Sequence, residues 1–238
     1  MGYTVARLTE AELPEFREFC ETNWGEKHPL IHNETAFSYY YRKDGLINFV
    51  RAKDDETGEF LSVGGFILAN DTPSPDVWLS FILTKKGAPL NLGFQIIEKI
   101  NELSNSRTFG VNNIRKKTCG LYEFLGYKTG AMTHYYRLNP ERAGDYRLCT
   151  VQNPVYLPIK QHDTEFIKIE NKEALDCFGF ENYSELRPYK DRRYVEHRFF
   201  ENPWLRYEVY GAAQGGVLFA LLVLRAIEYE GRLVLRLV

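Results

Sequence analysis

The sequence predicts an α+β fold in which a mixed β-sheet is flanked by helices. Segments with the two-residue alternation of strands are interleaved with segments whose apolar residues recur at helical spacing. Strands and helices alternate only after an early hairpin, so the sheet should contain both antiparallel and parallel neighbours, with helices on both faces. The 238 residues, of which 44% are hydrophobic, suffice for one large domain or two small ones.

The N-terminal part begins with a strand and two helices. Residues 4–8 alternate as a short strand. Thr9 suits the N-cap of a helix because Glu12 follows at the third helical position, and this helix should end near Gly25. A second helix is predicted at residues 33–42.

The centre of the sheet is predicted to be a hairpin followed by a third strand. Residues 47–52 and 60–69 are strand-like and are separated by the polar, turn-like segment 54–58. Residues 77–84 form the next apolar strand, after a loop that contains two prolines.

Beyond residue 84 the spacing of the apolar residues becomes that of a helix. Apolar residues recur three and four positions apart from Leu92 onward. A strand at 108–111 and a short helix at 118–125 follow, the latter closed by Gly126 in the left-handed conformation. A strand at 133–138 completes this part.

A second, smaller unit is predicted after residues 140–158, which contain three prolines and little periodicity. We therefore predict two domains, 1–139 and 150–238. The second should hold strands at 165–169, 205–212, 216–229 and 232–238, with helices at 172–178 and 190–199. Because an apolar strand pattern continues to residue 238, we expect this domain to be incomplete, as in a fragment of a longer protein.

The composition narrows the functional classes. A formal net charge of -2 argues against a nucleic-acid-binding protein, which normally has a basic excess. The N-terminus does not resemble a signal peptide, and the longest apolar run is too short to cross a bilayer. The four cysteines form no CxxC pair, so no metal or redox motif is predicted. We expect a cytoplasmic protein with a small-molecule partner.

The run from residue 77 to residue 139 contains the groups that an acyl-CoA needs. The strand at 77–84 can pair with the amides of an extended ligand. The loop with Lys85 and Lys86 leads into a helix near Gly93, and the N–H groups of a helix N-terminus bind phosphate. The phenol of Tyr122, on the next short helix, can protonate a leaving thiolate.

These residues resemble the GNAT acyltransferases. Residues 93–100, GFQIIEKI, resemble the start of their acyl-CoA helix, and Asn113 followed by LYEFLGY at 121–127 resembles their second motif. The resemblance covers residues 3–139. It implies a mixed sheet with a splayed central pair of strands, acetyl-CoA or another acyl-CoA as co-substrate, and Tyr122 as the general acid.

The phosphate loop departs from the family pattern. That pattern is Arg/Gln-x-x-Gly-x-Gly/Ala, whereas residues 88–93 read APLNLG and match only at Gly93. Asn113 also stands two residues further from Tyr122 than is usual. Both departures bear on cofactor binding rather than on the fold. The predicted cofactor-binding residues are Leu83, Thr84, Lys85, Lys86, Leu92, Gly93 and Asn113.

A narrower resemblance concerns bacterial acyltransferases found among surface-polysaccharide genes. It rests on residues 23–28 (NWGEKH), 78–79 (WL) and 134–136 (HYY), and on residues 187–194 and 198–203, which resemble the second acyltransferase-like half of those proteins. It implies an amino sugar as the acceptor. It also identifies residues 150–238 as a partial second unit without a pyrophosphate loop.

The remaining candidate residues are expected to bind the acceptor or to take a proton from it. His28 beside Glu26 is a candidate base, and Trp24 and His134 are candidate acceptor-binding residues. Each has a plainer interpretation as a solvated loop or core residue, and so does Tyr122. Transfer should be direct, in a ternary complex, because no cysteine stands beside an activating pair.

Two other functions fit the same sequence. One is aminoacyl transfer from a charged tRNA to a peptidoglycan precursor, as in tandem-domain relatives of this fold that lack a working CoA loop. The other is a degenerate fold that only binds a sugar or a partner.

Overall fold

A computed structural model describes residues 2–112, 114–148, 150–158 and 162–238. Packing divides the chain into two compact units, Met1–Ile114 with Tyr183–Tyr194 and Arg115–Asn182 with Val195–Val238. The predicted domains, 1–139 and 150–238, are based on sequence resemblance and not on packing. They stay a prediction.

The first unit contains seven strands and four helices among its described residues. In chain order these are β1 (Tyr3–Arg7), α1 (Leu13–Trp24), α2 (Pro29–His32), α3 (Glu34–Tyr41), β2 (Arg42–Lys43), β3 (Leu46–Ile47), β4 (Phe49–Asp54), β5 (Phe60–Leu68), β6 (Asp76–Thr84), α4 (Leu92–Ser104) and β7 (Thr108–Val111). Five strands form one sheet in the order β1-β4-β5-β6-β7. Because β6 and β7 are parallel and the other neighbours antiparallel, the predicted mixed sheet is confirmed.

The predicted capping box stands at the start of the first helical segment. The backbone N–H of Thr9 donates to the Glu12 carboxylate at 3.0 Å. The segment Glu10–Glu12 is a 3-10 turn, and α1 continues from it to Trp24, where Gly25 ends the helix with a φ of 90°. The helix therefore begins and ends where the sequence predicts, since the cap and the left-handed glycine are both local signals.

Helices pack on both faces of the five-stranded sheet. A side chain at Gly65 would overlap the ring of Phe49, which belongs to the core shared with α1, α2 and α3. A side chain at the preceding Gly64 would overlap Ile96 of α4. Since successive strand residues point to opposite faces, α4 lies on the face opposite α1–α3. Both glycines permit a close approach to the middle of β5.

The segment Tyr183–Tyr194 belongs to the first unit although it follows the first unit's sheet by about seventy residues. Its Tyr189 carbonyl accepts from the Asn70 amide at 3.0 Å, and the Tyr189 N–H donates to the Asp76 carboxylate at 2.8 Å. Asp191 accepts from the Asp71 N–H at 2.7 Å. These bonds fasten the segment to the loop between β5 and β6.

The second unit is built on a four-stranded antiparallel sheet in the order β11-β10-β9-β8. Its elements, together with the helix at the boundary between the units, are α5 (Lys116–Phe124), β8 (Glu165–Ile169), α6 (Arg192–Val195), β9 (Glu208–Gln214), β10 (Val217–Tyr229) and β11 (Arg232–Leu237). Gly126 follows α5 with the predicted left-handed backbone, at a φ of 85°.

Three sequence-based assignments need correction. Residues 133–138 form no strand; Tyr135 and Tyr136 are exposed, so their alternation does not mark a buried face. The predicted helix at 190–199 is a four-residue α6 followed by a π-helical turn, Glu196–Phe200. The loop predicted between the first two helices contains α2, whose Pro29 occupies the first helical turn.

Within the described residues, no helix has the length and apolar character that a membrane span requires.

Candidate active site

The sheet of the first unit opens beside β6. Strand β6 pairs with β5 along its length, but it pairs with β7 only at residues 76–79. From residue 80 to residue 84 its second edge faces no other strand of the described chain. The backbone N–H and C=O groups on that edge are available to an extended, amide-containing ligand.

A β-bulge marks the point where the edge opens. The pairing register between β5 and β6 shifts so that Ser80 has no partner residue in β5. The Ser80 hydroxyl donates to the Gly65 carbonyl at 3.1 Å and lies 3.2 Å from the phenol oxygen of Tyr41. Burial raises the pKa of Tyr41 to about 12, so this phenol keeps its proton. A bulge of this kind turns the strand and re-aims the residues that follow.

The loop after β6 leads directly into the N-terminus of α4. Gly87 adopts a φ of 86°, which favours glycine. The Leu92 N–H is bonded to the Pro89 carbonyl and the Phe94 N–H to the Asn91 carbonyl, whereas the Gly93 N–H has no partner among the described residues. This free donor lies at the positive end of the helix dipole, where anions bind favourably.

The two predicted phosphate-binding lysines differ. Lys85 pairs with Glu59 at 2.7 Å, so a phosphate would have to compete with a carboxylate. Lys86 is exposed and forms no ion pair with a described residue. Lys86 is therefore the better placed of the two to meet an anionic ligand.

The other predicted cofactor residues that the structure describes lie at the end of β6 and at the start of α4. Leu83 is half-buried against the aromatic core, and the Thr84 hydroxyl lies 2.8 Å from that of Ser62. Leu92 is fully buried, so its side chain anchors α4. Asn113 lies outside the described residues.

Three rings converge next to the opened edge. Trp24 stacks on Phe81 of β6 with ring centroids 5.2 Å apart, and His28 contacts the same ring edge-on at 5.7 Å. Trp24 remains 44% exposed, so one part of its indole is open to a ligand. An aromatic surface of this kind suits a sugar ring or a cationic amine.

His28 combines burial with an unused ring nitrogen. Its Nδ1 is buried and has no hydrogen-bond partner in the described chain. Burial lowers the pKa of His28, the carboxylate of Glu26 opposes that shift, and His32 adds to it. The neutral ring that results can accept a proton near neutral pH, as a base must.

Tyr122 and His134 belong to the second unit. Tyr122 lies on α5, is only 8% exposed, and its ring centroid lies 6.1 Å from that of Tyr127. Burial, and secondarily Tyr127, raises the pKa of the Tyr122 phenol. His134 lies in the irregular segment after α5, where its ring faces Tyr136 at 6.1 Å.

Sequence reasoning missed several features of this site. Phe81 and His32 carried no motif, and the bulge at Ser80 had no signal beyond a polar residue inside an apolar strand. That interruption is a usable clue, because a lone serine in a buried strand needs a hydrogen-bond partner. No group of three or more His, Cys, Asp or Glu side chains that could hold a metal ion occurs in the part of the chain that the structure describes.

No protein-family model and no curated protein matches the chain. Several solved acetyltransferase structures resemble 58% of it. A Trypanosoma brucei acetyltransferase is 16% identical, is covered over 100% of its length and superposes with a TM-score of 0.45. An aminoglycoside 6'-N-acetyltransferase from Acinetobacter baumannii is 13% identical and covered over 99%, with a TM-score of 0.43. An aminoglycoside N-acetyltransferase in complex with CoA is 13% identical and covered over 95%, with a TM-score of 0.44. At this degree of likeness neither the family nor the activity of the chain follows from these structures.

Proposed function

We propose that the chain is an acyl-CoA-dependent N-acyltransferase of the GNAT type that transfers an acetyl group to an amine. One observation carries the proposal: the edge of β6 at residues 80–84 lacks a strand partner and leads through a short loop into the N-terminus of α4. The pantetheine arm of CoA carries amides that can pair with such an edge. Its pyrophosphate needs the free donors of a helix start.

The residues at this edge fit the chemistry of CoA. The Gly93 N–H has no partner among the described residues, and Lys86 offers a cation that no described carboxylate neutralises. Ile82 and Leu83 would face the ligand through their backbone, and Thr84 and Lys85 would follow them toward the phosphates. When bound, acetyl-CoA supplies the activated thioester.

Proton transfer is assigned to side chains of this chain. His28 would accept the proton that the attacking amine loses, with Glu26 favouring its protonated form afterwards. Tyr122 would donate its phenol proton to the departing thiolate, a role assigned from its motif. A covalent acyl-cysteine route is disfavoured at Cys20, because burial raises its thiol pKa to about 12. We propose direct transfer in a ternary complex.

The acceptor is proposed to be an amino sugar of surface-polysaccharide biosynthesis. The exposed part of Trp24, stacked on Phe81, supports a ring-shaped acceptor because aromatic faces pack well on sugar rings. His134 would contribute a further polar contact. Residues 150–238 would form a second acyltransferase-like unit.

One observation favours a second function. Because Lys85 is paired with Glu59, the phosphate loop is weaker than its sequence suggests. A weak loop is expected of a degenerate binding module, or of an aminoacyl-tRNA-dependent transferase of the tandem type. Both alternatives predict that acetyl-CoA does not bind.

Thermal unfolding with acetyl-CoA tests the proposal. A ligand present at about one hundred times its Kd stabilises the folded state by about 2.7 kcal/mol, so the melting temperature should rise. Gly93→Glu places a carboxylate where the pyrophosphate would bind and should abolish the rise. The fold should tolerate it, since an acidic residue in the first helical turn is favourable.

Gly93→Ala is the matched control. A Cβ at this position would meet only the Ile82 Cδ1, at 3.9 Å, so alanine fits without strain and adds no charge. The melting shift should survive in this variant. An unmoved melting temperature for the unaltered protein at millimolar acetyl-CoA, or an equal shift in Gly93→Glu, would refute the proposal.

A further inference from the structure

A cavity lies at the other end of the first unit's sheet. It has a volume of about 200 Å³ and is lined by the ends of β1, β3 and β5, the loop after β5 and the last turn of α4. The candidate active site lies at the N-terminus of α4. Since α4 has 13 residues, the two places are roughly 20 Å apart.

Arg7 lines this cavity without a counter-charge. Its Nη1 donates to the Ile47 carbonyl at 3.0 Å and to the Asn48 side-chain oxygen at 3.4 Å. It forms no ion pair with any residue that the structure describes. A guanidinium has five N–H donors, so those on Nε and Nη2 have no acceptor from the described chain. Burial lowers the pKa of Arg7, as expected for a partly buried cation.

The surrounding charges do not neutralise Arg7. Asp71, a carboxylate that lines the cavity from the loop after β5, is already paired with both Lys43 and Arg193. Asp44 also lines the cavity but lies on an exposed turn. The lining cations, Arg7 and Lys43, balance the two carboxylates in number, but Lys43 is paired with Asp71, so Arg7 is the lining cation that no described carboxylate pairs with.

The rest of the wall is apolar or accepts hydrogen bonds. Phe66 lies under the guanidinium, which is 5.8 Å from its ring centroid. The hydroxyls of Thr72 and Ser104 donate to Asn70 and Ile100 respectively, so they offer only oxygen lone pairs to a ligand. Leu46 stands at the rim and is 51% exposed.

We propose that this cavity binds a small organic carboxylate, whose anionic end pairs with Arg7 and whose short apolar part lies against Phe66. A guanidinium matches a carboxylate in shape because two of its N–H groups can donate in parallel. The volume admits a molecule of only a few heavy atoms. The site is independent of the acyl-CoA site and does not rest on the proposed transferase function.

Titration of the whole chain with butyrate, followed by amide NMR, tests this site. Butyramide at matched ionic strength is the uncharged control. Butyrate should produce saturable shifts at the amides of Asn48, Thr72 and Ser104, and butyramide should not. Arg7→Met keeps an unbranched, flexible side chain but removes its charge and N–H donors, and it should weaken butyrate about tenfold, the size expected for a lost charged hydrogen bond.

A second pair of variants decides the question if Arg7→Met fails to fold. Leu46→Glu places an anion at the rim and should weaken butyrate, whereas the isosteric Leu46→Gln should bind it like the unaltered protein. Equal binding of butyrate and butyramide would overturn the proposal. So would an unchanged butyrate affinity in Arg7→Met or, where that variant does not fold, in Leu46→Glu.

Discussion

The pKa of His28 depends on its burial and on two neighbouring side chains. A histidine in water has a pKa of about 6.5. Here burial lowers the pKa, Glu26 opposes this and His32 reinforces it. Because the folded protein binds this proton less tightly than the unfolded chain, protonation of His28 favours unfolding. The stability at stake is present at neutral pH and is lost as the pH falls below the ordinary histidine pKa.

The two charged neighbours of His28 should move its pKa in opposite directions. Glu26→Gln removes the stabilising carboxylate and should lower the His28 pKa further. His32→Asn removes a repelling cation and should raise it. Ring-proton NMR titration measures both, with His28→Gln identifying the resonance. A His28 pKa at or above the ordinary value in the unaltered protein would contradict the assigned burial.

At the scale of single residues, the sequence predicted which residues lie close together when they are near in sequence, but not their contacts with distant segments. Trp24, Glu26 and His28 stood together in one motif, so their proximity could be predicted. The contact of Trp24 and His28 with Phe81 could not, because it joins the end of α1 and the residue before α2 to a strand more than fifty positions away. Lys85 was predicted from its loop position, yet its pairing with Glu59 depends on the neighbouring strand.

At the scale of elements, local signals predicted most boundaries correctly. The capping box at Thr9, the hairpin of β4 and β5 and the left-handed Gly126 each depend on a few adjacent residues. Residues 133–138 were predicted wrongly because alternation alone does not supply a partner strand. The parallel pairing of β6 with β7 could be anticipated as a mixed sheet, but its end after residue 79 could not.

The segment Tyr183–Tyr194 should be released when its main acceptor is removed. Asp76 is 2% exposed and accepts from Asn70, Tyr189 and Thr108. In Asp76→Ala these donors lose their partner, at a cost of roughly 1–3 kcal/mol for each buried group. Trypsin should then cut more rapidly at Lys190, Arg192 and Arg193.

Glu98→Ala is the control for that experiment. Glu98 is an exposed carboxylate on α4 in the same unit, so its loss changes the charge equally without touching the segment. Peptide mapping by mass spectrometry measures cleavage in both variants. If Asp76→Ala and Glu98→Ala are cut at the same rate, the segment is not held by these hydrogen bonds.

At the scale of the whole molecule, the class of fold was predictable and the arrangement of units was not. The order of strands and helices predicted a mixed sheet with helices on both faces, which the first unit has. Composition and periodicity contain no information on the return of residues 183–194 to the first unit. That return depends on hydrogen bonds between segments more than one hundred residues apart.

Amide hydrogen exchange in the presence of acetyl-CoA tests the central claim most directly. If the free edge of β6 pairs with the pantetheine arm, exchange should slow at millimolar acetyl-CoA at Gly93 and at those amides of residues 80–84 that point away from β5, because new hydrogen bonds protect them. The same region should remain unprotected in Gly93→Glu. Unchanged exchange at residues 80–84 in the unaltered protein would contradict the assignment of this edge as the acyl-CoA site.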